Sequence, residues 1–121
     1  MFKDHEGAKK MKLLIVVIHN PDLVADIVST LVDLDVRGIV SLESESIMQF
    51  LAQEVPIFAG LRELMTSPRS FNKILLGICD NDEILKDLYA GLKEINIDLK
   101  KAGMGYAFTI PIDSIIESSE E

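Results

Sequence analysis

The stretch Lys12–Ile18, KLLIVVI, decides the fold of this 121-residue chain. It is a continuous apolar run, rich in β-branched residues and too short for a helix. The polar residues His19 and Asn20 and the helix-compatible Pro21 follow it at once. Such a run is typical of a central strand that is buried on both faces. We therefore predict a first strand that needs cover on each side.

A helix is predicted directly after this strand. Asn20 is suited to cap a helix, and Pro21 suits the first helical position, where its missing N–H needs no partner. Apolar residues then recur every three or four positions to about Asp35, and they are Leu23, Val24, Ile27, Val28, Leu31 and Leu34. Beyond Gly38, the alternation of Ile39–Leu42 predicts a second strand that is more exposed than the first.

The second half of the chain repeats this order. Phe71–Cys79 returns to an apolar, β-leaning composition and predicts a third strand. Apolar spacing predicts a second amphipathic helix over about residues 82–95, and a close packing contact would explain Gly91 inside it. A turn with two glycines then precedes a fourth strand, Tyr106–Ile110.

This element order predicts the fold class. Two βαβ units in one sheet give an α+β, ferredoxin-like βαββαβ sandwich with an irregular insert between strands two and three. We expect a disordered leader at 1–11, a single domain over 12–116 and an acidic tail at 117–121. Both helices then lie on one face of the sheet, so its other face, apolar in strands one and three, has no cover within the chain. The exposed apolar area of that face would be larger than soluble monomers normally have, so we expect the chain to form oligomers.

Composition limits the function classes. The chain has 20 acidic and 12 basic residues, a net charge of −8, and 48% hydrophobic residues. The basic residues are scattered, which argues against a nucleic-acid-binding face. The longest apolar run, Leu13–Ile18, is far shorter than the roughly 20 residues that span a bilayer. With Cys79 as the one cysteine and no signal-peptide pattern, we expect a cytoplasmic protein.

Three stretches of the chain resemble the nitrogen-regulatory PII superfamily, and most closely its divergent PII-like members. They are VRGIVSLESES (Val36–Ser46), VPIFAGLRELM (Val55–Met65) and GMGYAFTIPID (Gly103–Asp113). The resemblance implies a ferredoxin-like subunit in a homotrimer whose sheets face inward. It also implies that an adenine nucleotide or another small effector binds between subunits, and that the loop after strand two contacts a target protein.

The chain departs from the typical PII pattern where that pattern binds phosphate. Typical members carry G-D-G-K before the last strand, and the aligned residues here, Gly103–Tyr106, are G-M-G-Y. Glu117 and Ser119 stand where typical members have two arginines. Loss of three charge-assisted hydrogen bonds, each worth roughly 1.5–3 kcal/mol, lowers triphosphate affinity about a thousand-fold or more. We therefore expect a smaller or less charged ligand, bound by backbone N–H groups of the glycine turn.

Two sets of residues are candidates for binding. The predicted ligand-binding residues are Gly38, Gly103, Met104, Gly105 and Tyr106. The alternative for these glycines is a purely conformational role, because glycine adopts positive φ without strain. The predicted partner or oligomer contacts lie in the insert and are Phe50, Ile57, Phe58, Leu61 and Arg62. The alternative for this second set is packing over the chain's own core.

Evidence for metal or catalytic chemistry is weaker. His5 and His19 have no cysteine or second histidine at metal-ligand spacing, and Cys79 has no identifiable base beside it. The acids of Asp80–Glu83 are explained by the positive end of the following helix. We therefore expect a regulatory protein, not an enzyme, and no metal site. The alternative is a metal-responsive trimer that resembles the CutA family, which shares this fold.

Overall fold

The computed structural model describes residues 2–3, 11–45, 47, 51, 57 and 71–118. In chain order its elements are β1 (Phe2–Lys3), β2 (Lys12–Ile18), a 3₁₀ turn (Pro21–Leu23), α1 (Val24–Asp33), β3 (Arg37–Glu45), β4 (Phe71–Cys79), α2 (Ile84–Lys93), β5 (Gly105–Pro111) and β6 (Ile115–Ile116). The first and third predicted strands, β2 and β4, have the predicted bounds.

The four long strands form one antiparallel sheet in the order β3-β4-β2-β5. β2 is central and pairs along its whole length with both neighbours, so that Ile18 lies opposite Lys73 of β4 and Gly105 of β5. α1 connects β2 to β3, and α2 connects β4 to β5. This is the ferredoxin-like βαββαβ fold, and it confirms the predicted fold class.

Both helices are shorter than the apolar spacing predicts, and local polar geometry explains their ends. α1 gives way to a turn in which Asp35 has a φ of +65°. Ahead of α2, Asn81 Oδ1 accepts a hydrogen bond from the Glu83 N–H at 2.8 Å, which holds those residues in a turn. Asn20 is a capping residue as predicted, because its Oδ1 accepts a hydrogen bond from the Asp22 N–H at 3.0 Å. The element that it caps is the 3₁₀ turn Pro21–Leu23, which precedes α1.

One face of the sheet packs against both helices and forms the core. Leu14, Val16 and Ile18 of β2 point to this face, and none is more than 1% exposed. The largest side chains packed on them from the other elements are Ile27, Leu31, Leu75, Ile84, Leu88 and Leu92. Gly91 allows α2 to approach α1, because a Cβ there would lie only 3.1 Å from Thr30 Cγ2. The predicted packing contact at Gly91 is confirmed.

The opposite face of the sheet, which we call the open face, is also apolar. Side chains alternate between faces along a strand, and the register then gives its members. They are Leu13, Ile15, Val17, Val40, Leu42, Ile74, Leu76, Ile78, Tyr106, Phe108 and Ile110. Its outer strands are exposed to solvent, with exposed fractions from 40% at Phe108 to 55% at Tyr106.

A second, two-stranded sheet joins the ends of the chain. β1 pairs antiparallel with β6, with Phe2 opposite Ile116 and Lys3 opposite Ile115. β1 lies within the segment 1–11 that the sequence predicts as a leader. The predicted domain limits at 12 and 116 stay a prediction.

The helices are short. α1 and α2 have 10 residues each. Within the described ranges, no helix has the length and apolar character that crossing a bilayer requires.

The core makes a direct stability prediction for two leucines of α2. Leu88 is 1% exposed, whereas Leu85 is 39% exposed on the same helix. We expect Leu88→Ala to lower the free energy of unfolding by about 2–5 kcal/mol, because it removes buried methyl groups and leaves a cavity. Leu85→Ala, the matched control, should change it by about 0.5 kcal/mol or less. Urea denaturation followed by circular dichroism measures both, and equal losses would contradict this core.

Candidate functional site

The predicted ligand turn connects α2 to β5 and is tied to the end of β2. The Met104 N–H donates to the Lys101 carbonyl at 3.3 Å, which closes the turn. The His19 N–H in turn donates to the Met104 carbonyl at 3.2 Å. Four of the five predicted ligand-binding residues, Gly103–Tyr106, are consecutive in this turn and the start of β5. The turn therefore has a fixed position relative to β2.

The two glycines of the turn have different roles. Gly105 has a φ of +130°, and a Cβ at this position would collide with the carbonyl oxygen of Val17. Close approach of β5 to β2 is thus sufficient reason for glycine at 105. Gly103 also has a positive φ, +83°, but a Cβ there would meet nothing within 4 Å.

Gly38, the remaining predicted ligand-binding residue, lies at the opposite end of the sheet. Its neighbour Arg37 pairs with Ile78, near the end of β4, whereas Gly105 pairs with Ile18. The rise of about 3.3 Å per residue puts the two glycines roughly 15 Å or more apart. Gly38 has a φ of +64° at an irregularity in the β3–β4 pairing. A single chain does not bring Gly38 to the turn.

Polar and aromatic side chains gather beside the turn on the open face. His19 Nδ1 lies 3.0 Å from Asn72 Oδ1. The imidazole meets the Tyr106 ring edge-on, with centroids 6.3 Å apart and an angle of 69° between the planes. Tyr106 stacks with Phe108 at 6.2 Å and 18°. We call these four residues, His19, Asn72, Tyr106 and Phe108, the turn cluster.

Sequence reasoning did not find the turn cluster. Among its four members, the sequence motif predicts only Tyr106 as a ligand-binding residue, and no motif marks His19, Asn72 or Phe108 for that role. Three strand ends contribute to the cluster, so its members are far apart in the chain. The strand register, however, places Val17, Ile74 and Tyr106 on the open face. Residues two positions apart in a strand share a face, so His19, Asn72 and Phe108 lie on the open face as well.

Arg37 lies at the other end of the sheet, where its charge is paired. Its Nη2 lies 3.1 Å from Glu117 Oε1 and its Nη1 lies 3.6 Å from Asp80 Oδ2. Lys12 similarly lies 4.0 Å from Asp82. Across the described ranges, no three histidine, cysteine or acidic side chains are placed to hold a metal ion. Glu117 is here the nearer of the two acidic partners of Arg37.

The outer side of the helices carries a cleft of about 510 Å³ between α1 and α2. Its walls hold four acidic residues, Asp26, Asp33, Asp87 and Glu94. Between them lie the small residues Ser29, Thr30, Ala90 and Gly91. Because its charged lining is acidic, this cleft is unsuited to a phosphate or carboxylate ligand.

One predicted contact residue of the insert can be placed. Ile57 is 83% exposed, and its role as a contact residue stays a prediction. The other four predicted contacts, Phe50, Phe58, Leu61 and Arg62, lie outside the described residues.

Comparison with known proteins finds a likeness of fold and none of sequence family. No family model matches the chain. No curated protein matches it either. The crystal structure of the Arabidopsis thaliana PII protein bound to citrate is similar to it, with 12% sequence identity, coverage of 85% of this chain and 78% of that chain, and a TM-score of 0.49. The fold assignment rests on the sheet topology given above.

The turn geometry predicts unequal effects for its two glycines. Gly105→Ala should lower the free energy of unfolding by roughly 2–5 kcal/mol, because it adds a backbone collision to an unfavourable φ. Gly103→Ala, which meets only the unfavourable φ, should lower it by about 1 kcal/mol. Thermal and urea unfolding of the two variants measure the difference. A Gly103→Ala variant as unstable as Gly105→Ala would contradict this geometry.

Cys79 makes a prediction about reactivity. It is buried at the end of β4, as expected from sequence, and burial raises the pKa of its thiol. The reactive thiolate is therefore scarce at neutral pH and is also shielded. We expect a thiol reagent such as Ellman's reagent to modify the native protein far more slowly than the urea-unfolded protein. Equal rates would contradict the buried position.

Proposed function

We propose that this chain is a PII-like regulatory protein of the cytoplasm, without catalytic activity. It assembles as a homotrimer, binds a small effector between subunits, and regulates a partner protein through the segment 44–64, which begins at the end of β3. The open face is the observation that carries this proposal. The PII-like sequence stretches support the same assembly.

The open face has the composition of an interface between subunits. Its centre is apolar, and large side chains such as Leu42, Tyr106 and Ile110 are exposed on its outer strands. Polar groups lie at its ends, with His19 and Asn72 beside the turn. An apolar centre with a polar rim is the usual anatomy of a protein interface. Covering this face with other copies of the chain removes apolar surface from water, which favours association.

The positions of the predicted ligand-binding residues support a site between subunits. Gly38 and the turn lie at opposite ends of the sheet in one chain, so they can contact one ligand only if different subunits contribute them. The turn also lies at the margin of the open face, where a neighbouring subunit would end. A cleft between subunits therefore accounts for the two sets together.

The charges around these residues favour an effector of low charge. Tyr106 stands at the position of the lysine in the PII pattern, and Glu117 forms a salt bridge with Arg37. The chain also has a net charge of −8. A triphosphate would meet fewer cations here than in a typical PII protein, so its binding would be weak.

Native mass spectrometry and differential scanning fluorimetry test the proposal. We expect a trimer whose melting temperature rises with at least one member of a panel of nucleotides, nucleosides and metabolites. A stable monomer would contradict the assembly, and a trimer without any shift would contradict effector sensing. Copper and zinc belong in the panel, because a shift with a metal alone would favour the CutA-like alternative.

The assembly predicts opposite results for two exposed apolar residues. Leu42 lies on the open face and is 52% exposed, whereas Val32 lies on α1 and is 57% exposed. Leu42→Glu should convert the trimer to monomers, because assembly would bury uncompensated carboxylates. Val32→Glu, the matched control, should leave the trimer intact. Size-exclusion chromatography with light scattering measures both, and a trimeric Leu42→Glu variant would place the interface elsewhere.

A further inference from the structure

We infer that the outer surface of α2 is a docking site for an acidic, extended segment of another protein. The site is a row of side chains that we call the basic strip. Its members are Leu85, Lys86, Tyr89 and Lys93 of α2 and Lys100, which follows the helix. The helices cover the face of the sheet opposite to the open face. The basic strip therefore adds a second surface to the proposed function, and an assembly through the open face leaves it accessible.

Helical spacing separates the basic strip from the acidic residues of α2. Lys86, Tyr89 and Lys93 follow one another at three- and four-residue intervals, so they share one side of the helix. Asp87 and Glu94 instead line the cleft between α1 and α2. Each of these acids is one residue beyond a lysine of the strip, which places it about 100° further around the helix. One side of α2 is thus basic and the adjoining side is acidic.

Tyr89 brings two ammonium groups together. Lys100 Nζ lies 4.5 Å from the centre of the Tyr89 ring, and Lys93 Nζ lies 5.6 Å from it. Cation–π attraction favours both positions, although the two lysines come from different parts of the chain. Their positive charges therefore converge on one place before a partner binds.

The charges of the basic strip are available to a partner. Among the described residues, no carboxylate forms a salt bridge with Lys86 or Lys100. Lys93 lies 4.0 Å from Asp98, but its side chain is still 52% exposed. Leu85, which is 39% exposed, adds an apolar contact beside the lysines. The complementary partner supplies carboxylates together with a small apolar group.

The neighbouring acidic cleft limits the width of the partner. The cleft lies beside the basic strip on the outer side of the helices and presents Asp26 and Asp33 of α1 as well as the two acids of α2. A broad anionic surface, such as a DNA duplex or a lipid membrane, would meet these carboxylates together with the lysines and would be repelled. An extended peptide is narrow enough to contact the strip alone.

The spacing of the lysines indicates a spacing for the carboxylates. Lys86 and Lys93 are seven residues apart in sequence. The helical rise puts them roughly 10 Å apart along the helix axis. Three residues of an extended chain, at about 3.3 Å per residue, span the same length. Acidic residues at every third position of a peptide therefore match this pair.

The charge of the whole chain favours a short acidic segment over a long polyanion. The net charge is −8, but at about 0.1 M salt charges farther away than about 10 Å are largely screened. A short peptide then responds mainly to the lysines of the basic strip. A single-stranded nucleic acid would continue past the strip onto acidic surface. The ammonium group of Lys100 over the Tyr89 ring also leaves less room for a base to stack there.

Fluorescence anisotropy with labelled synthetic peptides tests the inference on the unaltered protein. The probe GETVETVEG has glutamate at every third position, and GQTVQTVQG is its uncharged control. At about 0.1 M salt, we expect the acidic probe to bind about tenfold more tightly, since two surface ion pairs together contribute about this factor. Equal binding of the two peptides would overturn the inference. The peptide GTVEEETVG has the same composition with adjacent glutamates, and its binding as tightly as GETVETVEG would overturn the proposed spacing.

A double variant locates the binding on the basic strip. We expect Lys93→Gln with Lys100→Gln to weaken binding of the acidic probe about tenfold, because two ion pairs are lost. Lys12→Gln with Lys73→Gln is the matched control, because it removes the same charge from the sheet, and it should bind normally. Circular dichroism and thermal unfolding confirm that both variants fold. An equal loss in the two double variants would show an effect of net charge alone and would overturn this location.

Two substitutions at Tyr89 test its positioning of the lysines. Tyr89→Phe keeps the ring and should bind the acidic probe as the unaltered protein does. Tyr89→Leu removes the cation–π contacts and should weaken binding about threefold. Thermal unfolding separates this loss from a loss of stability. Normal binding by a folded Tyr89→Leu variant would overturn the role of the ring.

Two other anions test the choice of partner. Vesicles with an anionic lipid and a single-stranded oligothymidylate are titrated under the same conditions. If either binds more tightly than the acidic probe and loses affinity in the Lys93→Gln, Lys100→Gln variant, the peptide assignment is wrong. The result is also independent of the proposed assembly. A monomer that binds the acidic probe through the basic strip would contradict the trimer and support this inference.

Discussion

The structure depends on β2, which is hydrogen-bonded to a neighbouring strand on both edges and is apolar on both faces. Its edges pair with β4 and β5 over seven residues each, so its backbone groups are satisfied without water. Its side chains alternate between the helix-covered core and the open face. One strand thus positions the core, the turn and the apolar surface that association would cover. The proposed subunit interface depends on the open face of this strand, and the proposed effector site depends on the turn beside its end.

The elements with strong local signals could be predicted from sequence. β2 and β4 were found with their bounds because β-branched apolar runs carry that information within a few residues. The fold class followed from element order. The helix ends could not be predicted as well, because they depend on details such as the Asn81 turn and the positive φ of Asp35. A local hydrogen bond or a positive φ at a single residue can end a helix, and neither changes the spacing of the apolar residues from which the helix is predicted.

The candidate site was predictable only in part, because a site depends on which strand ends meet. The glycines at 103 and 105 could be found from their turn motif, since the motif is contiguous. The sequence around Gly38 does not indicate that this glycine lies at the other end of the sheet. His19, Asn72 and Phe108 meet only after strand register is known, and register is a non-local property. Sequence motifs therefore identified the turn but not its surroundings.

The charge pattern and the groups beside the turn both favour the effector of low charge that we propose. A phosphate site needs cations that converge on one point, and the Arg37 guanidinium is instead paired with Glu117 and Asp80 at the far end of the sheet. Beside the turn, the groups that converge are an imidazole, a carboxamide and two aromatic rings. These groups have no net charge when the imidazole is neutral, so they would recognise the effector that we propose by shape and by hydrogen-bond direction rather than by charge.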